Sequence, residues 1–477
     1  MQDYGIWTVI TPLVTITLAV LTRQVILSLL AGALVGYTVM ADFNPLVGVQ
    51  HTLDNIIDVF ASAGNTRSIL FCFMVGGIIR LVQVTGGTQG MVHWLTEKAN
   101  VINNRYAVQL LAMITTMLIF IESSISLMSA GTVTRDLASR YNISREKMAY
   151  IIQSSCVSSC SSVMMNGWGA AMMAIIGVQI SNGFLQGEPF NILLHSIPYN
   201  LMAWFSLASV LFYIFSQKSW GPMAVAERRA ASGKALRDGA FPIAGHDDVE
   251  LIRSDSRGHP LNFVIPLATT IIMVPIGLYI TGDGNIAHGS GSTAVFWAVM
   301  AGTAVSFVYF LCRNILTVDE FFTHLLAGYS SMMPLGAIMT LAFLMGNLSA
   351  ELHTGQYITQ SIEGVLPAGF SASFVFLIAA LMSLATGTSW GTFAIMIPIG
   401  VQISAATGID PHLMIGAAIS GSIFGDMTSP ISDTGIVSSM ATGNDHIDHI
   451  RTQFPYVLLT GMAATLCFAV FGWISLG

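Results

Sequence analysis

Apolar runs of about 17–22 residues recur along this 477-residue chain, each long enough to cross a hydrocarbon core of about 30 Å at a helical rise of about 1.5 Å per residue. No water reaches that depth, so backbone N–H and C=O groups must pair within the protein, which leaves helices and closed barrels. The runs are continuous rather than alternating, which selects helices. Only 9% of residues are charged, against about 25% in an ordinary soluble domain, so the chain reads as an all-α polytopic membrane protein. Spans are expected near 5–22, 25–41, 68–84, 106–134, 148–182, 197–216, 261–281, 293–312, 330–350, 372–388, 391–407, 410–442 and 455–475. The first of these lacks a basic leader and a cleavage site, and is expected to be retained as a span. Between Pro45 and Thr66 the mixed pattern predicts an interfacial or re-entrant amphipathic helix.

One extended polar segment, Gln217 to Pro260, carries Lys218, Arg228, Arg229, Lys234, Arg237, Arg253 and Arg257 out of 18 Lys and Arg residues. Basic residues beside spans stay on the cytoplasmic side, whatever acids accompany them. The segment therefore reads as a cytoplasmic linker, 217–260, between a first membrane half, 1–216, and a second, 261–477. A shift of 266 positions lays the halves on each other without a gap across their most polar regions. Tyr141-Asn142-Ile143-Ser144 falls on Thr407-Gly408-Ile409-Asp410, Ile121-Glu122-Ser123-Ser124 on Gly387-Thr388-Ser389-Trp390, and Cys156 through Trp168 on Ser422 through Thr434. The expected architecture is two inverted structural repeats with discontinuous transmembrane helices, whose breaks meet at the bilayer midplane.

The most polar of the membrane-length regions holds Gly425-Asp426-Met427-Thr428-Ser429-Pro430-Ile431-Ser432-Asp433-Thr434-Gly435. Carboxylates at membrane depth are costly unless they line a cavity or find partners, so an Asp pair there marks a transport site. Ser429 can cap a restarting helix with Pro430 at its first position, which would put Asp433 near the positive end of the helix dipole. Asp426, Asp433, Thr428, Ser429 and Ser432 then offer the hard oxygens that suit sodium. Thr386, Thr388 and Ser389, set among glycines, add further oxygens. Glu122 interrupts an apolar run and is a candidate proton carrier. In the first half the matching segment is neutral: a serine-rich run followed by Asn166-Gly167-Trp168-Gly169, where Asn166 and Trp168 could contact a solute.

The remaining features exclude other classes. A net charge of −7 without long charged runs implies no nucleic-acid partner. There is no nucleotide-binding loop, catalytic triad or metal-helix motif, so the chain is expected to be neither an ATPase nor an enzyme, and to need no cofactor beyond Na⁺ and H⁺ as coupling ions. Five cysteines, all in or beside apolar segments, make no disulfide framework. Cys156 and Cys160 share a helix face and read as packing groups rather than a soft-metal pair. His446 and His449 fall in what reads as a polar connection before the last span, suited to a gating contact.

Gly425 to Thr434 closely resembles the NhaC family of sodium/proton antiporters, and so do Thr386 to Thr392, Asn444 to Tyr456 and Ser144 to Ile152. The resemblance implies a multi-pass, two-repeat inner-membrane carrier, with a cation or substrate role at Asp426, Ser429, Ser432 and Asp433. This chain departs from that pattern where relatives carry an acidic pair at Glu122-Ser123 and an Asp at Gln153. The expectation is a sodium-dependent secondary carrier working by Na⁺/H⁺ antiport. The alternative is Na⁺- or H⁺-coupled symport of an amino acid or small organic acid. Its partners are the lipid bilayer and the transported solute, with a homodimer as the candidate assembly.

Overall fold

The computed structural model describes residues 4–22, 24–98, 104–120, 123–242, 258–285, 289–352, 357 and 367–476. Among them the chain is helical, with one isolated bridge between Pro242 and Asp445. The N-terminal part forms α1 (Trp7–Thr22), α2 (Val25–Met40), α3 (Pro45–Asp58), α4 (Ala63–Val84), α5 (Gly87–Lys98), α6 (Arg105–Leu118), α7 (Ser123–Arg140), α8 (Arg145–Ser162), α9 (Gly167–Ser181), α10 (Pro189–Ser196), α11 (Leu201–Ser216) and α12 (Gly221–Ala231). The C-terminal part forms α13 (Leu261–Thr281), α14 (Gly291–Cys312), α15 (Val318–Ser331), α16 (Met333–Glu351), α17 (Ser371–Thr386), α18 (Ser389–Thr407), α19 (Pro411–Thr428), α20 (Asp433–Thr442) and α21 (His446–Ile474). Seven helices among the described residues are long and apolar enough to cross a membrane, and up to nine if each bent pair counts as one span.

Helix starts carry the local signals that physical chemistry asks for. Asn44 and Asp410 cap α3 and α19 through side-chain oxygens that accept N–H bonds from Leu46 and His412, and each is followed by proline at the first helical position. Ser144 caps α8 in the same way, accepting from Lys147. α3 presents Leu46, Val49, Leu53 and Ile57 outward, the apolar stripe of an interfacial helix.

The helix boundaries repeat. α2 and α14 begin at 25 and 291, α6 and α17 at 105 and 371, α7 and α18 at 123 and 389, α8 and α19 at 145 and 411, and α9 and α20 at 167 and 433. Every pair is offset by the 266 positions that align the two halves of the sequence. The expected break within 148–182 is a bend of 41° between α8 and α9. The break within 410–442 separates α19 from α20, and the two spans expected over 372–407 are α17 and α18, parted at Gly387-Thr388.

One expectation needs correction. The polar residues after Asn444 do not form a connection: Asp445 accepts N–H bonds from Ile447 and Asp448, and the last helix starts at His446. The described part of the linker, 217–242, is tied to the helices beneath it. Glu227 on α12 receives Arg105 at 2.7 Å, Lys147 at 3.8 Å and the Ser144 N–H at 2.8 Å, while Arg229 pairs with the buried Glu146 at 2.5 Å. Beyond α12, Arg237 pairs with Asp448 on α21, and the Phe241 N–H donates to Asp445. Trp220 stacks on Tyr456 of α21 with ring centroids 5.0 Å apart. These residues form a strap over the ends of α6, α8 and α21.

Candidate functional site

The breaks come together because glycines let backbones touch. Gly387 ends α17 in the left-handed region, at φ +71°, where a side chain is strained. A Cβ on it would lie 2.5 Å from the Ile431 carbonyl oxygen. The Asp433 N–H donates to the Gly387 carbonyl at 3.3 Å, joining the α17–α18 break to the α19–α20 break. Gly425 brings α19 onto α17 in the same way: its Cβ would meet the Ala380 carbonyl oxygen at 2.3 Å.

Asp426 lies two residues before the end of α19 and has no exposed surface. Its Oδ1 accepts from Ser432 Oγ at 2.6 Å, its Oδ2 from Ser389 Oγ at 3.2 Å, and Thr434 Oγ1 lies 3.2 Å from both oxygens. No ion pair among the described residues involves Asp426. A buried carboxylate held only by neutral hydroxyls keeps an uncompensated charge, and each charged hydrogen bond offsets only about 1.5–3 kcal/mol of a larger desolvation cost. The arrangement suits a small cation or a proton.

Ser429 is not the cap of the restarting helix, as the sequence suggested. It terminates α19, its Oγ accepts from the Ile431 N–H at 3.3 Å, and Pro430 sits in the exposed turn. The chain needs those residues to turn before α20 begins, so Ser432 caps instead, accepting the Gly435 N–H at 2.9 Å. Asp433 is then the first helical residue. It is exposed, with Oδ1 accepting its neighbour's N–H from Thr434 at 2.7 Å.

The other candidates are spread around this centre. Thr428 Oγ1 bonds back to Phe424 and Gly425 carbonyls, and Thr386 Oγ1 to Met382. Thr388 caps α18 through Trp390 N–H. Asn166 caps α9, accepting from Gly169 N–H at 2.8 Å and donating to the Phe120 and Cys160 carbonyls at 3.0 and 2.8 Å, so its amide is fully engaged with backbone. Trp168 is buried, with Trp390 and Phe393 rings centred 5.5 and 5.6 Å away. Glu122 lies outside the described residues. The repeat pairs Asn166 with Ser432, both caps, and Cys160 with Asp426, so the buried acid has a thiol as its counterpart.

Four residues that the sequence did not single out as site residues join the centre: Thr434, Gln153, Gln453 and His449. Gln153 Nε2 donates to Thr434 Oγ1 at 3.0 Å, while Gln153 Oε1 accepts from Gln453 Nε2 at 2.9 Å and lies 2.7 Å from His449 Nε2. Gln153, an amide directly after Met148-Ala149-Tyr150-Ile151-Ile152, was the available signal; Gln453 and His449 sit among the polar residues that open α21. His446 turns away, to the Pro430 carbonyl and Ser439, and among the described residues no group of three or more His, Cys, Asp or Glu could hold a metal ion. Beside α9, a cavity of about 170 Å³ is lined by Ser62, Asn65, Ser68, Met173, Glu188 and Ser292. A smaller apolar one reaches Asn166.

The sequence profile of the Na⁺/H⁺ antiporter family matches residues 163–473. A protein of uncharacterised function from Haemophilus influenzae is 27% identical over 99% of this chain and 92% of its own length. The arginine/ornithine antiporter ArcD of Halobacterium salinarum is 27% identical over 49% of this chain and 46% of its own. The solved structure of Neisseria gonorrhoeae MtrF, described as one of a class of antimetabolite efflux pumps, superposes with a TM-score of 0.57 at 15% identity, covering 89% of this chain and 84% of that one. At that identity the likeness shows the fold alone.

Proposed function

The chain belongs to the Na⁺/H⁺ antiporter family, and from that premise we propose that it exchanges sodium for protons across the plasma membrane, with Asp426 taking each ion in turn. It is a multi-pass secondary transporter and not an enzyme. The observation that carries the finer reading is the burial of Asp426 among Ser389, Ser432 and Thr434 without a basic partner. Sodium would be held by this carboxylate and the oxygens beside it, and a proton would compete for the same group. Competition for one carboxylate couples the two gradients, because the site can return empty only at the cost of a buried charge. Asp433, exposed at the first turn of α20, would guide the cation toward the site with help from the helix dipole. The two membrane halves, 1–216 and 261–477, would rock about the meeting breaks, with the strap over 217–242 on the cytoplasmic side.

A second reading, transport of an amino acid or small organic acid coupled to the cation, draws on the 170 Å³ cavity beside α9 and on the likeness to ArcD. One assay separates the two. Purified protein in proteoliposomes receives a sodium pulse with no organic solute while internal pH is recorded, for wild type, Asp426→Asn and Asp433→Asn. Sodium-driven proton movement in the wild type, lost in Asp426→Asn, is the expected result. Wild-type vesicles that stay silent until an amino acid or organic acid is added would replace exchange with symport, and movement that survives Asp426→Asn would remove the role given to that carboxylate.

A further inference from the structure

The hydrogen bonds around Asp426 form a directed circuit, and its direction follows from one atom. The Met427 carbonyl can only accept, so the Gln453 side-chain atom 2.6 Å away is its nitrogen. The second N–H of that amide points at Gln153 from 2.9 Å, so the Gln153 atom there is oxygen, and the Gln153 nitrogen faces Thr434 Oγ1 at 3.0 Å. His449 Nε2, 2.7 Å from the same Gln153 oxygen, must also be a donor. Thr434 Oγ1 already accepts from Gln153, and Ser432 Oγ accepts from Gly435 N–H and donates to Asp426. The Thr434 proton is thereby left to Asp426 directly, or to Ser432 Oγ 3.1 Å away, whose own proton goes to Asp426; both routes end on the carboxylate. The circuit runs from residue 427 of α19 through α21, α8 and α20, and closes on residue 426.

We propose that Gln153 and Gln453 are positioning residues that set the balance between cation and proton at Asp426. This rests on the reading of Asp426 as the exchanged site. With the hydroxyls of Ser432 and Thr434 committed as donors, the pocket is wired for an acceptor-only carboxylate, the form that binds a cation. A protonated carboxyl could pass its proton to Ser389 Oγ, which has the Ser422 carbonyl 3.2 Å away for its own, but the donors at Ser432 and Thr434 hold the neutral acid less strongly than the anion, and the two amides keep Thr434 a donor. Neither glutamine touches Asp426, so each acts through Thr434.

The other ionisable groups near the circuit are few. Asp433 lies on α20, His446 and His449 on α21, and at the far end of α20 Arg135 of α7 lies against Gly443 while Arg145 of α8 donates to its carbonyl at 2.7 Å. Cys156 and Cys160 of α8 turn toward the Ser123 and Phe120 carbonyls rather than the acid. α17 and α18 bring hydroxyls, Ser383 and Ser389, and no charge.

The test is the half-saturating sodium concentration for exchange, measured from pH 6.5 to 9 in proteoliposomes for wild type, Gln153→Met, Gln453→Met and the double variant. Gln153→Met removes the donor to Thr434, and the half-saturating concentration is expected to rise about tenfold near neutral pH, the scale of one hydrogen bond to a charged group. The excess should shrink as pH rises and protons cease to compete. Gln453→Met frees the Gln153 amide to flip and should shift the profile in the same direction, about threefold. The double variant should be no worse than Gln153→Met, because the two act in series. An excess that is constant with pH, or additive effects in the double variant, would overturn the proposal. If Gln153→Met does not fold, an unshifted Gln453→Met overturns it alone. Asp426→Asn, run in parallel, separates the two levels. Continued exchange there removes the site itself, whereas its loss beside unshifted glutamine variants removes only the positioning role.

Discussion

Replacing Gly387 with alanine should cost far more than the same change at Gly408, although the two are matched by backbone. Both end a helix in the left-handed region, at φ +71° and +77°, and both donate their N–H to the carbonyl four residues back, Ser383 at 2.8 Å and Ser404 at 2.9 Å. The left-handed conformation costs a non-glycine residue about 1–2 kcal/mol, and that term is common to both. At Gly408 a Cβ meets nothing within 4 Å. At Gly387 it falls 2.5 Å from the Ile431 carbonyl oxygen and 2.8 Å from Ile431 Cγ1, so the two breaks must separate; overpacking of this kind adds about 1–3 kcal/mol. Chemical unfolding of the purified proteins in mixed micelles should place Gly387→Ala about 1–3 kcal/mol below Gly408→Ala. Transport should fall only in Gly387→Ala, because the separation also pulls Ser389 from Asp426. Equal losses, within about 0.5 kcal/mol, would show that the close approach of the breaks has no energetic content and would refute the reasoning.

Asn166→Ala removes the cap of α9 and two donors to buried carbonyls, and should destabilise by about 2–4 kcal/mol in the same unfolding assay. Arg229→Ala strands the buried Glu146 and should cost about 3–5 kcal/mol, whereas Lys234→Ala, which loses only an exposed pair with Asp238, should leave the unfolding curve in place. The hydrogen bond from His412 holds the Asp410 carboxyl below the usual carboxylate range. Its stabilisation is complete above the ordinary carboxylate pKa, about 4, and is lost as pH falls through the lower folded value. An acid titration of stability should therefore lose that component in Asp410→Asn.

The frame was legible because membrane helices obey two strong rules, span length and obligatory backbone pairing, and the 266-residue repeat adds a third. The 266-position alignment paired the segments whose helices start at 145 and 411 and at 167 and 433, although the restart was expected at Pro430 rather than Asp433. Asp426, Ser389 and Ser432 were also legible, as polar groups where apolar ones are the rule. What sequence could not convey was which hydroxyl turns where. Ser429 and Ser432 are equally good caps by residue type, and only the length of the turn after α19 chooses between them. Gln153 is 281, 296 and 300 residues from Thr434, His449 and Gln453, and only packing of α8 against α20 and α21 joins it to them. The start of the last helix at His446 was hidden because its first turns are polar and buried against the strap.

The pairing of Cys160 with Asp426 has an electrical meaning. A duplicated frame with an acid in both copies would move two ionisable sites through the membrane field, and that field acts on each unbalanced charge with about 2.3 kcal/mol per 100 mV. With a thiol in one copy, the exchange proposed above, if it ran through Asp426 alone, would carry one positive charge inward and one outward in each cycle. Such a cycle is electroneutral. Its direction would be set by the ratio of the sodium and proton gradients, and the membrane potential would drop out of its driving force.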